Sequence, residues 1–156
     1  MLSDAELDRY ARQIILPAFG GAGQAKLKAA HVAVIGAGGI GCPAITYLAA
    51  AGVGRLTIID DDVVELSNLQ RQPLFTDADI GAHKAQMAAD AARRINPHVK
   101  AVAVSKRLDE SNASTLLTNA DLILDGCDNF ATRLVVNHAA VASKTPLISA
   151  AIGAFE

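Results

Sequence analysis

The chain has 156 residues, 51% of them apolar, and a formal charge of −2 at neutral pH. That is enough material for one sizeable core, and the interspersed acids and bases argue against a phosphate-backbone footprint for DNA or RNA. The acidic start Met1-Leu2-Ser3-Asp4-Ala5-Glu6, with no long apolar stretch behind it, argues against a signal peptide or membrane span, so a cytoplasmic protein with no nucleic-acid or membrane partner is expected.

In chain order, Leu7, Tyr10, Ala11, Ile14 and Ile15 recur at helical spacing, predicting a helix over Asp4–Ile15 that ends at Pro17 and Gly20-Gly21. Next comes the strand-like His31–Gly36, the run Gly36-Ala37-Gly38-Gly39-Ile40-Gly41, and a helix over Gly39–Ala51 with Pro43 in its first turn. A glycine run between strand and helix is a phosphate-binding turn: Gly36 for the sharp bend, Gly38 for close backbone approach to phosphate oxygens, Gly41 for helix-on-sheet packing. The helix start adds free N–H groups and a positive dipole end.

A second strand, Arg55–Asp60, ends on an acid about twenty residues past the glycine turn, the usual place for a ribose-binding carboxylate. Asp60 suits NAD and ATP equally; Asp61 or Asp62 is expected to be merely solvated. The loop Ser67-Asn68-Leu69-Gln70-Arg71-Gln72, with Lys84 after it, supplies amides and two cations, more positive charge than a dinucleotide needs. A guanidinium fork and a compact ammonium together suit a triphosphate.

Helix Ala82–Ile95, strand Val99–Ser105, helix Asp109–Asn119, strand Asp121–Gly126, helix Asn129–Ala142 and strand Pro146–Ala150 follow. The alternation predicts a Rossmann-like, doubly wound α/β fold with a mostly parallel sheet and an N-terminal helical segment. Ligands of such sheets bind beyond the strands' carboxyl ends, where Gly36–Gly41, Asp60–Asp62 and Asp125–Asn129 converge. Asp125 or Asp128 suits magnesium, which takes one or two protein carboxylates plus substrate phosphates. Asp128 or Asn129 equally suits the cap of the following helix. The only cysteines, Cys42 and Cys127, stand far apart and offer neither a disulfide framework nor a zinc site; Cys127 reads as a buried, inert thiol. His31, His83, His98 and His138 receive no functional role.

Arg9-Tyr10-Ala11-Arg12-Gln13-Ile14, Gly36–Gly41, Asp60-Asp61-Asp62, Ser67–Gln72, Lys84 and Asp125-Gly126-Cys127-Asp128-Asn129, in this order and spacing, resemble the adenylyltransferases that activate ubiquitin-like sulfur carriers. Those are enzymes of thiamine and molybdopterin pathways, related to the adenylation domain of ubiquitin-activating enzymes. Pro73–Ile80 and Thr145–Ile148 look slightly more like the thiamine branch.

The resemblance implies that residues 1–156 form the N-terminal part of an ATP-binding adenylation domain. It implies that Gly39 and Asp60 contact the nucleoside, that Asn68, Arg71 and Lys84 contact the phosphates, and that Asp128 holds Mg²⁺. Gly36, Gly38, Gly41, Asp62, Ser67, Gln72 and Asn129 complete the nucleotide-binding set. Arg12 is implied to reach a partner subunit's site in a homodimer, as a catalytic group alongside Arg71, Lys84 and Asp128. The reaction implied is attack of a small ubiquitin-like sulfur-carrier protein's C-terminal carboxylate on the α-phosphate, giving an acyl-adenylate and pyrophosphate. The family continues into a carrier-docking crossover and Cys-x-x-Cys zinc ligands beyond Glu156, so a shortened piece is expected, with zinc only in the missing part. Ala151–Glu156 reads as the start of a further strand. Two other readings stand beside this one: an NAD-dependent oxidoreductase domain, and a non-catalytic nucleotide-binding or dimerising fragment.

Overall fold

The computed structural model describes residues 1–152. Its centre is a sheet of five strands, all parallel: β1 (His31–Ile35), β2 (Arg55–Ile59), β3 (Lys100–Val104), β4 (Leu122–Asp125) and β5 (Leu147–Ser149), in the spatial order β3-β2-β1-β4-β5. Side chains alternate across it. Val32, Val34, Leu56 and Ile58 point into one buried cluster with α4 (Gly41–Ala51) and α5 (Lys84–Ile95), while Ala33, Ile35, Ile59 and Ile123 point into another with α6 (Ala113–Leu116) and α7 (Phe130–Ser143). Because both faces are covered, β1 is buried along its whole length, as its unbroken apolar run predicted. On α5 the buried face is Ala85, Ala88, Ala89, Ala91 and Ala92, whose small side chains let the helix approach the sheet.

The register brings the strand ends into line: Ile35 pairs with Ile59 on one side and Asp125 on the other, Ile59 with Val104, and Asp125 with Ser149. The chain moves outward from β1 through β2 to β3, then crosses to β4 on β1's other side. Connections above β1 and β4 therefore diverge, and a crevice opens there.

The N-terminal segment differs from the single predicted helix. It breaks into α1 (Asp4–Arg9) and α2 (Ala11–Ile14) at Tyr10, whose side chain is buried. Asn96 Nδ2 donates to the Tyr10 hydroxyl at 2.7 Å and to the Ala49 carbonyl at 2.8 Å, so the break lets the ring reach the end of α4. A further helix, α3 (Gly20–Ala29), stands where glycines predicted an end. Glycine's low helix propensity is overridden by packing: buried Gln24 donates to the Ala51 carbonyl at 3.0 Å, and a Cβ on Gly54 would fall 1.8 Å from the Lys28 carbonyl oxygen. The helix predicted over Asp109–Asn119 contracts to α6. Asp109 accepts from Ser111, and Asn112 accepts from the Asp109 N–H, so local side-chain bonds replace helix at its start. The strand read into Ala151–Glu156 finds Ala151 and Ile152 non-helical and unpaired; the rest lies outside the described residues. Among the described residues no helix is long and apolar enough to cross a membrane.

The tightest backbone approach near the crevice is at Gly41, where a Cβ would lie 1.9 Å from the Gly36 carbonyl oxygen; at Gly38 it would meet only Gln72 Nε2, at 3.8 Å. Gly41→Ala should therefore lose about 1–3 kcal/mol of stability as α4 is forced off the turn. Gly38→Ala should stay within about 0.5 kcal/mol of the parent. Parallel urea melts of both variants check this; equal losses would remove the close-approach argument.

Candidate functional site

The crevice above the strand ends has a volume of about 810 Å³ and is lined by the glycine turn, the loops after β2, β3 and β4, and Lys84 at the start of α5. Gly36 turns the chain at φ +87°, a conformation that suits glycine. Past it, Cys42 N–H bonds to the Gly38 carbonyl, but among the described residues the N–H groups of Gly38, Gly39, Ile40 and Gly41 have no hydrogen-bond acceptor. Free donors at the start of a helix of this length form a cradle for an anion.

Asp60 holds the cradle in shape. Its Oδ2 accepts from Ala37 N–H at 2.7 Å and its Oδ1 from Asp62 N–H at 2.9 Å, stapling the glycine turn to the loop after β2. Burial pushes its carboxyl above the ordinary aspartate value, opposed by these two hydrogen bonds and by Lys84.

The expected phosphate ligands come together on the same wall. Lys84 is buried, its Nζ 3.0 Å from Asp62 Oδ2, and its backbone N–H bonds to the Asp62 carbonyl. An antiparallel bridge between Val63 and His83 holds that pair of segments together. Asn68 is buried, its Oδ1 accepting from Glu65 N–H at 3.2 Å, with Ser67 exposed beside it. Arg71 donates to the Ser67 carbonyl at 3.1 Å, and its stem crosses Gly39, where a Cβ would lie 3.5 Å from Cγ and Cδ. Gln72 is buried next to Gly38, and its Oε1 has no partner among the described residues. A buried amide oxygen without a donor is costly and marks a place where a ligand or water belongs.

On the β4 side the two candidate roles separate. Asn129 caps α7, its Oδ1 accepting from Thr132 N–H at 3.1 Å. Asp128 is exposed on the crevice, and among the described residues its carboxylate has no hydrogen bond or ion pair. Asp125 is buried beneath it, accepting from Cys127 N–H and from the Ser149 hydroxyl. Cys127 is half-buried on the crevice wall rather than buried; desolvation, with help from the neighbouring Asp125 carboxylate, pushes its thiol up to about 12, which disfavours the thiolate. His31 is a satisfied core residue between the Asn119 carbonyl and Thr57 Oγ1.

No group of three or more His, Cys, Asp or Glu able to hold a metal occurs among the described residues. A magnesium ion bound through one carboxylate and a polyphosphate needs no such group. Free N–H donors, the cations Lys84 and Arg71, and uncommitted Asp128 fit a magnesium–polyphosphate ligand.

Asp61 and Asp62, one of which was expected to be merely solvated, are both exposed and each also carries an ion pair: Asp61 with Arg107 at 2.9 Å and Asp62 with Lys84. Arg12 stands apart, exposed on α2, outside the crevice lining and without a polar partner among the described residues. Gln13 beside it donates to the Ala51 carbonyl at 3.3 Å and helps fix the segment. Sequence reasoning missed Lys106, Arg107 and Arg133, all on the crevice wall. Isolated basic residues after a strand or within a helix carry no motif, so only the topology reveals them.

Residues 10–156 match the ThiF family. The chain is 49% identical over 150 residues to the molybdopterin-synthase adenylyltransferase of Escherichia coli, covering 96% of this chain and 60% of that protein. It is 46% identical over 155 residues to the SAMP-activating enzyme E1 of Haloferax volcanii, covering 99% of this chain and 57% of that protein. Among solved structures, the E. coli tRNA N6-threonylcarbamoyladenosine dehydratase in complex with ATP superposes with a TM-score of 0.90 at 27% identity, over 96% of this chain and 61% of that chain. The chain thus spans about three-fifths of the length of these relatives. With the glycine turn, the loop Ser67–Gln72 and the Asp125–Asn129 turn all inside the matched region, the chain belongs to the ThiF family.

Proposed function

We propose that the chain is the ATP-binding part of an adenylyltransferase that activates the C-terminal carboxylate of a small ubiquitin-like sulfur-carrier protein, releasing pyrophosphate. The observation that carries this reading is one crevice lined by Arg71, Lys84, N–H groups that lack acceptors and an Asp128 that lacks a polar partner among the described residues. Relatives named for adenylation of sulfur carriers support it, as does an ATP complex of the same fold. Residues 1–156 are read as one adenylation unit that in the whole enzyme works with a carrier-docking part.

In this reading Gly36 shapes the cradle, Gly38, Gly39 and Gly41 present its N–H groups, and Asp60 faces the ribose. Asn68, Arg71 and Lys84 take phosphate oxygens, with Ser67 and Gln72 beside them, and Asp62 releases Lys84 to do so. Asp128 holds Mg²⁺, and Asn129 keeps its turn in place through the cap. Magnesium supplies charge compensation for the polyphosphate. The incoming carboxylate is already ionised at neutral pH, so no general base is needed. Lys84 and Arg71 stabilise charge developing on the leaving pyrophosphate, an electrostatic task suited to pre-placed donors. Arg12, without a polar partner among the described residues, reaches the site of a second copy in a homodimer. The enzyme works in the cytoplasm.

An NAD-dependent oxidoreductase would use the glycine turn and Asp60 but give Asn68, Arg71, Lys84 and Asp128 no task. Calorimetric titration separates the readings: ATP with magnesium should bind and NAD should not. Micromolar NAD binding without an ATP signal would overturn the assignment.

The trans role of Arg12 predicts complementation. In the full-length enzyme with its carrier, Arg12→Ala should lower pyrophosphate release by about 10³-fold, as loss of an arginine finger does, and change ATP affinity far less. Mixing it with Asp128→Ala subunits should restore one working site per mixed dimer. Mixed dimers that form yet release pyrophosphate no faster than either variant alone would refute the cross-subunit site.

A further inference from the structure

Arg133, in the first turn of α7, spends its guanidinium on backbone rather than on solvent. Its Nη2 donates to the Cys127 carbonyl at 2.6 Å and to the Ala150 carbonyl at 3.0 Å, and its Nη1 donates to the Ser149 hydroxyl at 2.8 Å. Its Nε stands 3.7 Å from Oδ2 of buried Asp125, which also accepts from the Ser149 hydroxyl at 2.8 Å. One planar fork therefore gathers the turn after β4, the end of β5 and the carboxylate between them, which an ammonium cannot do from a single nitrogen.

The turn carrying Asp128 is also held at its two ends and by the Cys127 N–H, which donates to Asp125 Oδ1 at 3.1 Å. Gly126 N–H bonds to the Ile35 carbonyl at 2.9 Å, and Asn129 is fixed by its cap. Between them, the Cys127 carbonyl belongs to the peptide unit that leads into Asp128, and among the described residues its hydrogen-bond donor is Arg133. Rotation of that peptide would swing Asp128 along the crevice wall. At the far end of the fork, Ala150 runs into Ala151 and Ile152, which line the same crevice.

We propose that Arg133 is a positioning residue for the metal end of the crevice: by clamping the Cys127–Asp128 peptide to the end of β5, it sets where the Asp128 carboxylate stands. The proposal rests on the reading of Asp128 as the magnesium ligand. It gives the segment after β5 a direct mechanical link to that carboxylate, so whatever displaces Ala150 also displaces Asp128.

The test compares ATP affinity with and without magnesium, by calorimetry on the full chain; the ratio is the magnesium gain. Asp128→Ala should abolish the gain. Arg133→Lys keeps a cation opposite Asp125 but loses the fork, and should cut the gain by about 10-fold or more, the scale for groups that orient a metal ligand. Its metal-free ATP affinity should stay within about 2-fold of the parent, because the glycine cradle is untouched. The double variant Arg133→Gln, Asp125→Asn, which leaves no bare buried carboxylate, should lose the gain in the same way. Hydrogen exchange should quicken at the Cys127–Asn129 amides and stay unchanged along β1. An undiminished gain in Arg133→Lys, with Asp128→Ala lacking it, overturns the positioning role alone. Equal losses with and without magnesium, with faster exchange across the sheet, overturn it in favour of a purely structural clamp. A full gain in Asp128→Ala overturns the metal reading and this proposal with it.

Discussion

The close approach of α4 to the turn after β1 is the constraint on which the crevice depends. At Gly41 the helix backbone comes so near the Gly36 carbonyl that no side chain fits between them. Around that approach the N–H groups of Gly38, Gly39, Ile40 and Gly41, in the turn leading into α4, have no acceptor among the described residues. Asp60 completes the arrangement by bonding the Ala37 N–H, so that the turn and the loop after β2 move as one. The cost is a carboxyl group pushed toward neutrality by burial and a set of N–H donors unsatisfied among the described residues, the kind of group that an anion satisfies.

The charges around the cradle are arranged so that an anion can claim them. Lys84 is buried, but its present partner Asp62 is 62% exposed at its side chain, and ion pairs with one solvated member contribute little. A polyphosphate in a partly dehydrated crevice is a stronger partner for that ammonium than a solvated carboxylate. Arg71 is similarly uncommitted, since its bond to the Ser67 carbonyl is exposed and replaceable. On the β4 side Asp128 has no polar partner among the described residues, since Asn129 takes the cap and Arg133 pairs with Asp125 instead. Division of work between adjacent polar residues is what leaves one carboxylate uncommitted on the crevice that Lys84 and Arg71 also line.

How far the sequence could be read follows the range of the forces involved. The parallel strands were legible because each is a short, mostly apolar run, covered on both faces in β1 and β2, and the glycine turn because its spacing expresses a local steric need. The loop Ser67–Gln72 and Lys84 were legible as a pattern of residue types, and the register then brought them to one wall. The break at Tyr10 was not, since its cause is a hydrogen bond from Asn96, far along the chain. Helix α3 was hidden by its glycines, whose poor propensity is outweighed by the fit of Gln24 and Gly54. Arg133 was invisible for a related reason: its partners on β4 and β5 become neighbours only when the sheet forms.

The central claim, that the glycine cradle and the Asp125–Asn129 turn hold one magnesium–ATP between them, is tested most directly by following backbone amide resonances of the isotope-labelled chain during titration with ATP and magnesium. The amides of Gly38–Gly41 and of Cys127–Asn129 should shift together along one saturation curve, with ATP alone moving chiefly the first group. Shifts confined to one of these segments when magnesium is present, or centred away from the strand ends, would contradict the account.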